Sequence, residues 1–320
     1  MKQTIGLDIS KRTIDVAILC DNQYKTAKFD NSKSGFIKLN QWIKNNNLDN
    51  SHICMEATGS YYEAVADYLF DQNYRISVVN PLKIKRFSET VFSRTKTDKQ
   101  DAKLIADFCC KMQPELWIKP TANERRLDDL ITFQKQLKEQ LVMNKNQLKS
   151  ATDKTVKNDI QKIIKHLNEL IKKNQNDIRS LIKEDEKLNN KFNKIKTITG
   201  IGEISAAAII NFFCGRNFES DKQYVAFLGM SPEEKSSGSS VRRGGRLCKN
   251  GHRKAKGVYF MPALTAYRKR SFPNFINRLE EKGKAKMVIV TAIMRKLATI
   301  AFHIYMNETD FDPSRYKKMA

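Results

Sequence analysis

The sequence predicts an α/β domain, followed by a long helical hairpin and a mostly α-helical region. Residues 4–79 alternate between short apolar runs of strand length and segments with apolar residues at helical spacing. Residues 121–199 contain no glycine or proline, and residues with long aliphatic side chains recur there at intervals of three and four. Glycines return after residue 199, between apolar stretches of helix length. The length predicts two domains or one large one. The changes of pattern divide the chain further, into three predicted domains over 1–115, 116–192 and 193–320.

The first domain should contain a mixed sheet covered by helices. Strands are expected over 4–9, 13–19 and 24–29, with polar turns between them. The segments that follow are a helix through Ile43, a strand over 52–56, a helix to about 72, a strand over 75–79 and a further helix. A meander followed by alternating helices and strands is typical of a mixed sheet.

The second domain should be two helices joined by a turn at 150–153. Leucines at 127, 130, 137, 141 and 148 define one apolar seam, and an isoleucine-rich seam follows from residue 160. Gln134 and Asn144 occupy polar positions in the first seam, which is typical of a coiled coil with a defined register. The hairpin is either a subunit contact, because an amphipathic seam needs a partner face, or a spacer, because an antiparallel hairpin can supply that face itself.

The charge is strongly positive and unevenly distributed. The chain has 58 Lys and Arg against 35 Asp and Glu, a net charge of +23. Residues 1–112 contain 17 basic and 13 acidic side chains, whereas residues 113–320 contain 41 and 22. This predicts a phosphate polymer as partner, bound mainly by the last two thirds of the chain, without distinguishing DNA, RNA or a membrane surface.

The sequence favours a cytoplasmic protein without a membrane span. No run approaches the ~20 apolar residues that a membrane span needs. Asp8 interrupts the first apolar run, whereas a signal peptide has an uninterrupted apolar stretch there. None of the six cysteines forms a C-x-x-C pair or has a histidine at zinc-finger spacing. We expect buried thiols instead of a zinc site or a disulfide framework.

Four acids are candidates for a divalent metal site. Asp8 lies inside the first strand, and Glu56 ends a later one. Asp98 and Asp101 are three residues apart at a helix start, so both can face the same way. Carboxylates converging at one sheet edge suit Mg²⁺ and phosphoryl transfer. Taken singly, Asp98 can be a helix cap, Asp101 an acid favoured by the helix dipole, and Glu56 a salt-bridge partner.

The C-terminal region contains two candidate nucleic-acid-binding segments. Gly200 and Gly202 lie in a turn between apolar helices, either a helix-hairpin-helix that offers N–H groups to phosphate or an ordinary turn. Residues 231–257 are rich in Gly, Ser, Arg and Lys, and indicate either a flexible loop or a serine nucleophile among cations. Within it, residues 241–256 contain seven basic residues and no acid: Arg242, Arg243, Arg246, Lys249, Arg253, Lys254 and Lys256.

These motifs resemble a family of transposases. Gly6-Leu7-Asp8-Ile9-Ser10-Lys11, Glu56-Ala57-Thr58-Gly59 and Lys96-Thr97-Asp98-Lys99-Gln100-Asp101-Ala102 are similar to the RuvC-like (RNase H fold) domain of DEDD transposases of the insertion-sequence-110 family, related to Piv invertases. The resemblance maps the family's acids onto Asp8, Glu56, Asp98 and Asp101. The family's C-terminal pattern matches Gly229-Met230-Ser231-Pro232, Ser237-Gly238, Gly251 and Arg253, whereas His252 departs from it by replacing a common amide.

The resemblance implies a function and its partners. Ser237 would be the nucleophile, with Ser236, Ser239 and Ser240 as neighbouring alternatives, and the acids would bind Mg²⁺ or Mn²⁺. DNA, a non-coding guide RNA and further copies of the chain, in a dimer or tetramer, would be its partners. Two alternatives remain, namely a metal-dependent nuclease or resolvase of the same fold that uses water, and a non-catalytic nucleic-acid-binding protein.

Overall fold

The computed structural model describes residues 3–90, 98–237, 241–247, 251–252 and 255–317, and of residues 98, 99, 233–237, 241–246 and 317 it describes the backbone. The chain divides into two compact units, Met1–Lys119 and Pro120–Ala320, called unit 1 and unit 2. Residues 116–119 of the predicted second domain fall in unit 1, and the rest of that domain falls in unit 2 with the C-terminal region. The separation into 116–192 and 193–320 stays a prediction.

Unit 1 has the strands and helices that the sequence predicts, in the predicted order. Its elements are β1 (Thr4–Ile9), β2 (Thr13–Cys20), β3 (Gln23–Asp30), α1 (Lys33–Asn45), β4 (His52–Glu56), α2 (Glu63–Asp71), β5 (Arg75–Val79), α3 (Pro81–Thr90) and α4 (Asp98–Met112). The strands form one sheet in the order β3-β2-β1-β4-β5. β1, β2 and β3 pair antiparallel, whereas β1, β4 and β5 pair parallel. The predicted mixed sheet is confirmed.

Both faces of the sheet are covered. Ile5 and Leu7 of β1 are fully buried in one apolar cluster with residues of α1 and α2. Successive side chains of a strand alternate between faces, so Thr4, Gly6 and Asp8 belong to the opposite face. There the Thr4 hydroxyl donates to the carbonyl of Ala106 at 3.0 Å, which places α4 across β1.

A disulfide joins Cys54 of β4 to Cys109 of α4, and both residues are fully buried. The expectation of thiols at these two positions was therefore wrong. Cys20, Cys110 and Cys214 are free thiols. The pairing follows from the close approach of α4 to the sheet, which the spacing of cysteines along the chain does not show.

Unit 2 begins with two long helices that pack against each other. Its elements are α5 (Ala122–Ser150), α6 (Lys154–Glu184), α7 (Glu186–Lys196), α8 (Glu203–Asn211), α9 (Asp221–Phe227), β6 (Pro232–Ser237), β7 (Val241–Leu247), α10 (Ala255–Arg268), α11 (Pro273–Glu281), α12 (Lys286–Asn307) and α13 (Ser314–Lys317). Thr121 and Glu124 form a capping box at the start of α5, and Asp153 caps α6. The two helices are thus where the seams predict them; their packing as a coiled coil stays a prediction.

The segment 231–257, expected as a loop or a serine-bearing basic segment, contains a two-stranded antiparallel ribbon. β6 pairs with β7 from Pro232↔Leu247 to Ser237↔Val241, with an irregularity between Glu233 and Lys235. Backbone pairing forms the ribbon although the sequence lacks the apolar alternation that would predict strands.

The helix α12 lies in the core of unit 2. It is long and apolar enough, by length and composition, to cross a membrane, which the sequence analysis did not anticipate. Ten of its residues, from Ile289 to Ile304, are buried. Its composition is therefore accounted for by packing within the unit.

Candidate active site

Asp8 and Glu56 lie beside each other on neighbouring strands. Leu7 of β1 pairs with Met55 of β4 in a parallel ladder, and the two acids are the next residues of the two strands. In-register residues of parallel strands share a face, and the preceding pair on that face is Gly6 with Cys54. Both acids are half-buried. They therefore occupy the carboxyl-end edge of the sheet, on the face that α4 covers.

The start of α4 reaches the same edge. Thr4 contacts Ala106, and a Cβ added to Gly6 would overlap the backbone of Ala102 and Ala106. The helix thus runs opposite to β1. Two strand residues and four helical residues each span roughly 6–7 Å, so the level of Asp8 corresponds to the first turn of α4. That turn contains Asp98, whose side chain lies outside the described residues, and Asp101, which is half-buried.

The donor set at this edge fits a hard divalent cation. Carboxylate oxygens are the ligands that Mg²⁺ and Mn²⁺ prefer, and Glu56 is held by a hydrogen bond from the Thr58 hydroxyl at 2.9 Å. Within the described residues, however, the carboxylates do not form a compact group of three ligand atoms. The structure therefore gives a shared edge and not a closed set of ligands.

The described residues do contain another close group of potential ligands. His52, Cys54 and Cys109 bring one ligand atom each within 4.8 Å of one another. Burial lowers the pKa of His52, and the nearby positive charge of Arg75 lowers it further, so the neutral ring is favoured. The His52 Nε2 lies 2.7 Å from the Ser77 hydroxyl oxygen. Because the cysteines are joined as a disulfide, the group has no pair of thiolates for zinc.

Sequence reasoning missed one acid beside the site. Asp15 of β2 pairs directly with Asp8 and is 4% exposed. Its carboxylate forms an ion pair with Lys28 of β3, whose Nζ lies 3.0 Å from the Asp15 Oδ2. The available signal was an acid inside the apolar run Ile14–Leu19, the same signal that selected Asp8.

The two glycines of the predicted helix-hairpin-helix have different surroundings. Gly200 has a φ of +92°, and an added Cβ would lie 2.7 Å from the Pro262 carbonyl oxygen. Backbone conformation and packing on α10 therefore require glycine there. Gly202 is the N-cap of α8 and has no atom within 4 Å of an added Cβ. Binding of phosphate by this turn stays a prediction.

Gly229 and Gly251 close the base of the ribbon. Gly251 has a φ of +143°, and an added Cβ would overlap the backbone of Gly229. The His252 N–H donates to the Phe227 carbonyl at 2.7 Å, and its ring packs against Phe212 and Phe227. The two glycines of the sequence motif therefore join the ends of the segment that contains the candidate serine.

The structure describes the backbone at some of the predicted basic and nucleophilic positions. Ser237 is the last paired residue of β6, opposite Val241. Arg242, Arg243 and Arg246 belong to β7, and Lys256 is half-buried in the first turn of α10. The other predicted positions, Ser239, Ser240, Lys249, Arg253 and Lys254, lie outside the described residues.

Two protein-family models match the chain. A DEDD model of the IS110 type, described as Transposase, matches residues 5–157, which include all four acids. A second model, described as Transposase IS116/IS110/IS902 family, matches residues 193–280, which include Gly200, Ser237 and the seven basic residues of 241–256.

Two curated proteins are similar over nearly their whole length. The Pilin gene-inverting proteins of Moraxella bovis and Moraxella lacunata are each 33% identical over 316 residues, covering 97% of this chain and 98% of theirs. A solved structure, T. thermophilus RuvC in complex with Holliday junction substrate, is 10% identical, covers 35% of this chain and 96% of its own, and has a TM-score of 0.27. That score is too low to support an argument.

Proposed function

Since the chain belongs to the IS110 family of transposases, an enzyme family of DNA transposition and recombination, we propose that it cuts and rejoins the DNA strands of an insertion sequence. The observation that supports this is the shared edge of unit 1: Asp8 and Glu56 are adjacent on one face, and the first turn of α4 reaches them. We also assign unit 1 to the RuvC-like fold, on its mixed sheet and this placement of acids.

Ser237 supplies the nucleophile in this proposal. Its Oγ bonds to the scissile phosphorus, the bond from phosphorus to the leaving sugar oxygen breaks, and the serine proton passes through solvent to that oxygen. A sugar hydroxyl of the exchanged strand then displaces Oγ, which regains a proton. The number of phosphodiester bonds is unchanged, so no nucleotide hydrolysis is required.

The acids Asp8, Glu56, Asp98 and Asp101 would hold Mg²⁺ or Mn²⁺. Family membership indicates dependence on a divalent metal, and the oxygen donors at the sheet edge suit these ions. When bound, such an ion neutralises charge on the scissile phosphate. The basic residues of β7 and its flanks, with the N–H groups near Gly202, would hold the phosphate backbone.

The remaining proposals concern partners. The charge of residues 113–320 suits a guide RNA as well as DNA, and the helical hairpin offers a surface for a second copy of the chain. The cytoplasm is the compartment where such partners meet.

The test is trapping of a covalent protein–DNA adduct. DNA flanking the gene supplies the element ends as substrate. We expect Ser237→Ala to bind DNA but form no denaturant-resistant adduct, and Ser236→Ala, Ser239→Ala and Ser240→Ala to retain it. Asp8→Asn should abolish adduct formation, whereas Asp71→Asn, at an exposed ion pair with Lys119, should not.

Other outcomes would select an alternative. Strand cleavage without any adduct would indicate a nuclease that uses water. Unchanged activity in Asp8→Asn would indicate a protein that only binds nucleic acid. Loss of the adduct in a neighbouring serine variant, with Ser237→Ala unaffected, would move the nucleophile to that residue.

A further inference from the structure

Three charged residues lie in one row across the sheet of unit 1. Asp8 of β1 is directly opposite Asp15 of β2, and Asp15 is directly opposite Lys28 of β3. Directly opposed residues of antiparallel strands share a face. The row therefore runs from the candidate metal site toward the β3 edge of the sheet. Its charges are negative at Asp8, negative at Asp15 and positive at Lys28.

The middle residue of the row is held in place as an ion. Asp15 is 4% exposed, and a buried carboxylate requires a cationic or hydrogen-bonding partner. Lys28 provides that partner at 3.0 Å, with its own side chain half exposed. Cβ atoms of directly opposed residues are about 4.5–5.5 Å apart, so the Asp15 charge acts at short range on Asp8.

The sheet edge of Asp8 and Glu56, together with the first turn of α4 that contains Asp98 and Asp101, is called the acid edge here. We propose that the Asp15–Lys28 ion pair is a positioning element that sets the affinity of the acid edge for a divalent cation. Asp15 acts through Asp8, by adding negative potential beside it, and Lys28 limits that potential. The ligands themselves remain Asp8, Glu56, Asp98 and Asp101. This inference rests on the proposed function, since it requires the acid edge to bind a metal.

The test measures Mn²⁺ binding to the full chain by calorimetry, without DNA, at pH 8. We expect Asp15→Asn to raise the Kd by about three- to tenfold, because it removes a negative charge beside Asp8. We expect Lys28→Gln to lower the Kd by about twofold, a smaller change because Lys28 is more distant and half exposed. A residue with a merely structural role would not give changes of opposite sign.

The double variant Asp15→Asn/Lys28→Gln is the decisive control. It restores the net charge of the pair to zero, so its Kd should return close to that of the unaltered protein even if its stability falls. Asp71→Asn and Lys119→Gln break another ion pair of unit 1 and should leave the Kd unchanged. Thermal unfolding of every variant shows which of them are folded.

The outcomes separate this inference from the proposed function. If Asp8→Asn weakens Mn²⁺ binding while the row variants change nothing, or change the Kd in the same direction, the inference is overturned and the acid edge stands. If Asp8→Asn leaves Mn²⁺ binding unchanged, the acid edge itself is wrong. Opposite changes in the single variants, reversed in the double variant, support the inference.

Discussion

Single residues decide how closely the elements of the site approach. Gly6 allows the backbone of α4 to lie against β1, and this contact brings the first turn of α4 level with Asp8. Asp8 and Glu56 could be selected as candidates from sequence because a charged residue inside or at the end of an apolar strand is unusual. Asp98 and Asp101 could be selected because their spacing of three at a helix start lets both face the same way. Asp15 shows the same signal, but its role depends on strand register, which the sequence alone does not give.

Gly251 should be intolerant of any side chain. Its φ of +143° is available essentially to glycine, and a Cβ would overlap Gly229. We expect Gly251→Ala to lower the free energy of unfolding by about 3 kcal/mol, measured by urea denaturation of the full chain. The matched control is Gly257→Ala in α10, where nothing lies within 4 Å; it should be neutral or stabilising. Equal urea midpoints for the two variants would contradict this account of the ribbon base.

His52 should make unit 1 sensitive to mild acid. Burial lowers the pKa of His52 in the folded chain, so the unfolded chain takes up a proton first as the pH falls. The stabilising contribution is complete above the unfolded pKa of about 6.5 and is lost as the pH falls below it toward the lowered pKa. The urea midpoint should fall between pH 7.5 and 5.5, and should fall less in His52→Gln. Exposed His166→Gln is the control, and an unchanged pH response in His52→Gln would refute the assignment.

Elements differ in how well the sequence predicts them. The long helices α5 and α6 are predicted because their apolar seams repeat over many turns and their caps are local. The ribbon of β6 and β7 was not predicted, since Val-Arg-Arg-Gly-Gly-Arg-Leu has no alternation of apolar and polar residues. The short helix α11 has no such repeating signal, because it occupies only nine residues after Phe272.

The hairpin contains a buried hydrogen bond between Asn174 and Gln134. Removing only one of the two polar side chains should destabilise the protein. The Asn174 amide donates to Gln134 Oε1 at 2.9 Å and to the Leu130 carbonyl at 3.0 Å, and both side chains are buried. Among described residues, the Gln134 Nε2 is a buried donor without a hydrogen-bond partner. Asn174→Leu should cost about 1–3 kcal/mol, because it leaves more of the Gln134 amide unpaired.

The double variant tests that reasoning. Gln134→Leu/Asn174→Leu removes both polar groups and should be close to the unaltered protein in stability, as measured by thermal unfolding. Asn168→Leu, at an exposed position of α6, is the control. A double variant less stable than Asn174→Leu would show that the polar pair contributes more than it costs.

At the scale of the whole molecule, the two units differ strongly in net charge. Most of the net charge of +23 belongs to residues 113–320. Composition alone predicted this, because net charge does not depend on folding. What composition could not predict is the extent of the units, which depends on long-range packing such as that of Leu127 with the helices near the C-terminus.

Binding of nucleic acid should depend steeply on salt. Each phosphate contact on duplex DNA contributes about 0.9 to the slope of log K against log salt concentration. Replacing Arg242, Arg243 and Arg246 together by Gln should reduce the slope by up to about 3. The same charge change at exposed positions of α1, Lys33, Lys38 and Lys44, should leave the slope unchanged. Equal reductions in both triple variants would place the binding surface elsewhere. Filter binding over a salt series measures the slope.

The three-residue link 151–153 between α5 and α6 offers a place for a reporter. Both helix ends beside it are closed by local hydrogen bonds, from the Ala151 N–H to the Gln147 carbonyl and from the Val156 N–H to Asp153. Some 40 Å of helix lies between this link and the start of α5. A fluorescent domain inserted there would therefore sit far from the core of unit 2, and would allow the movement of single molecules on DNA to be followed by microscopy.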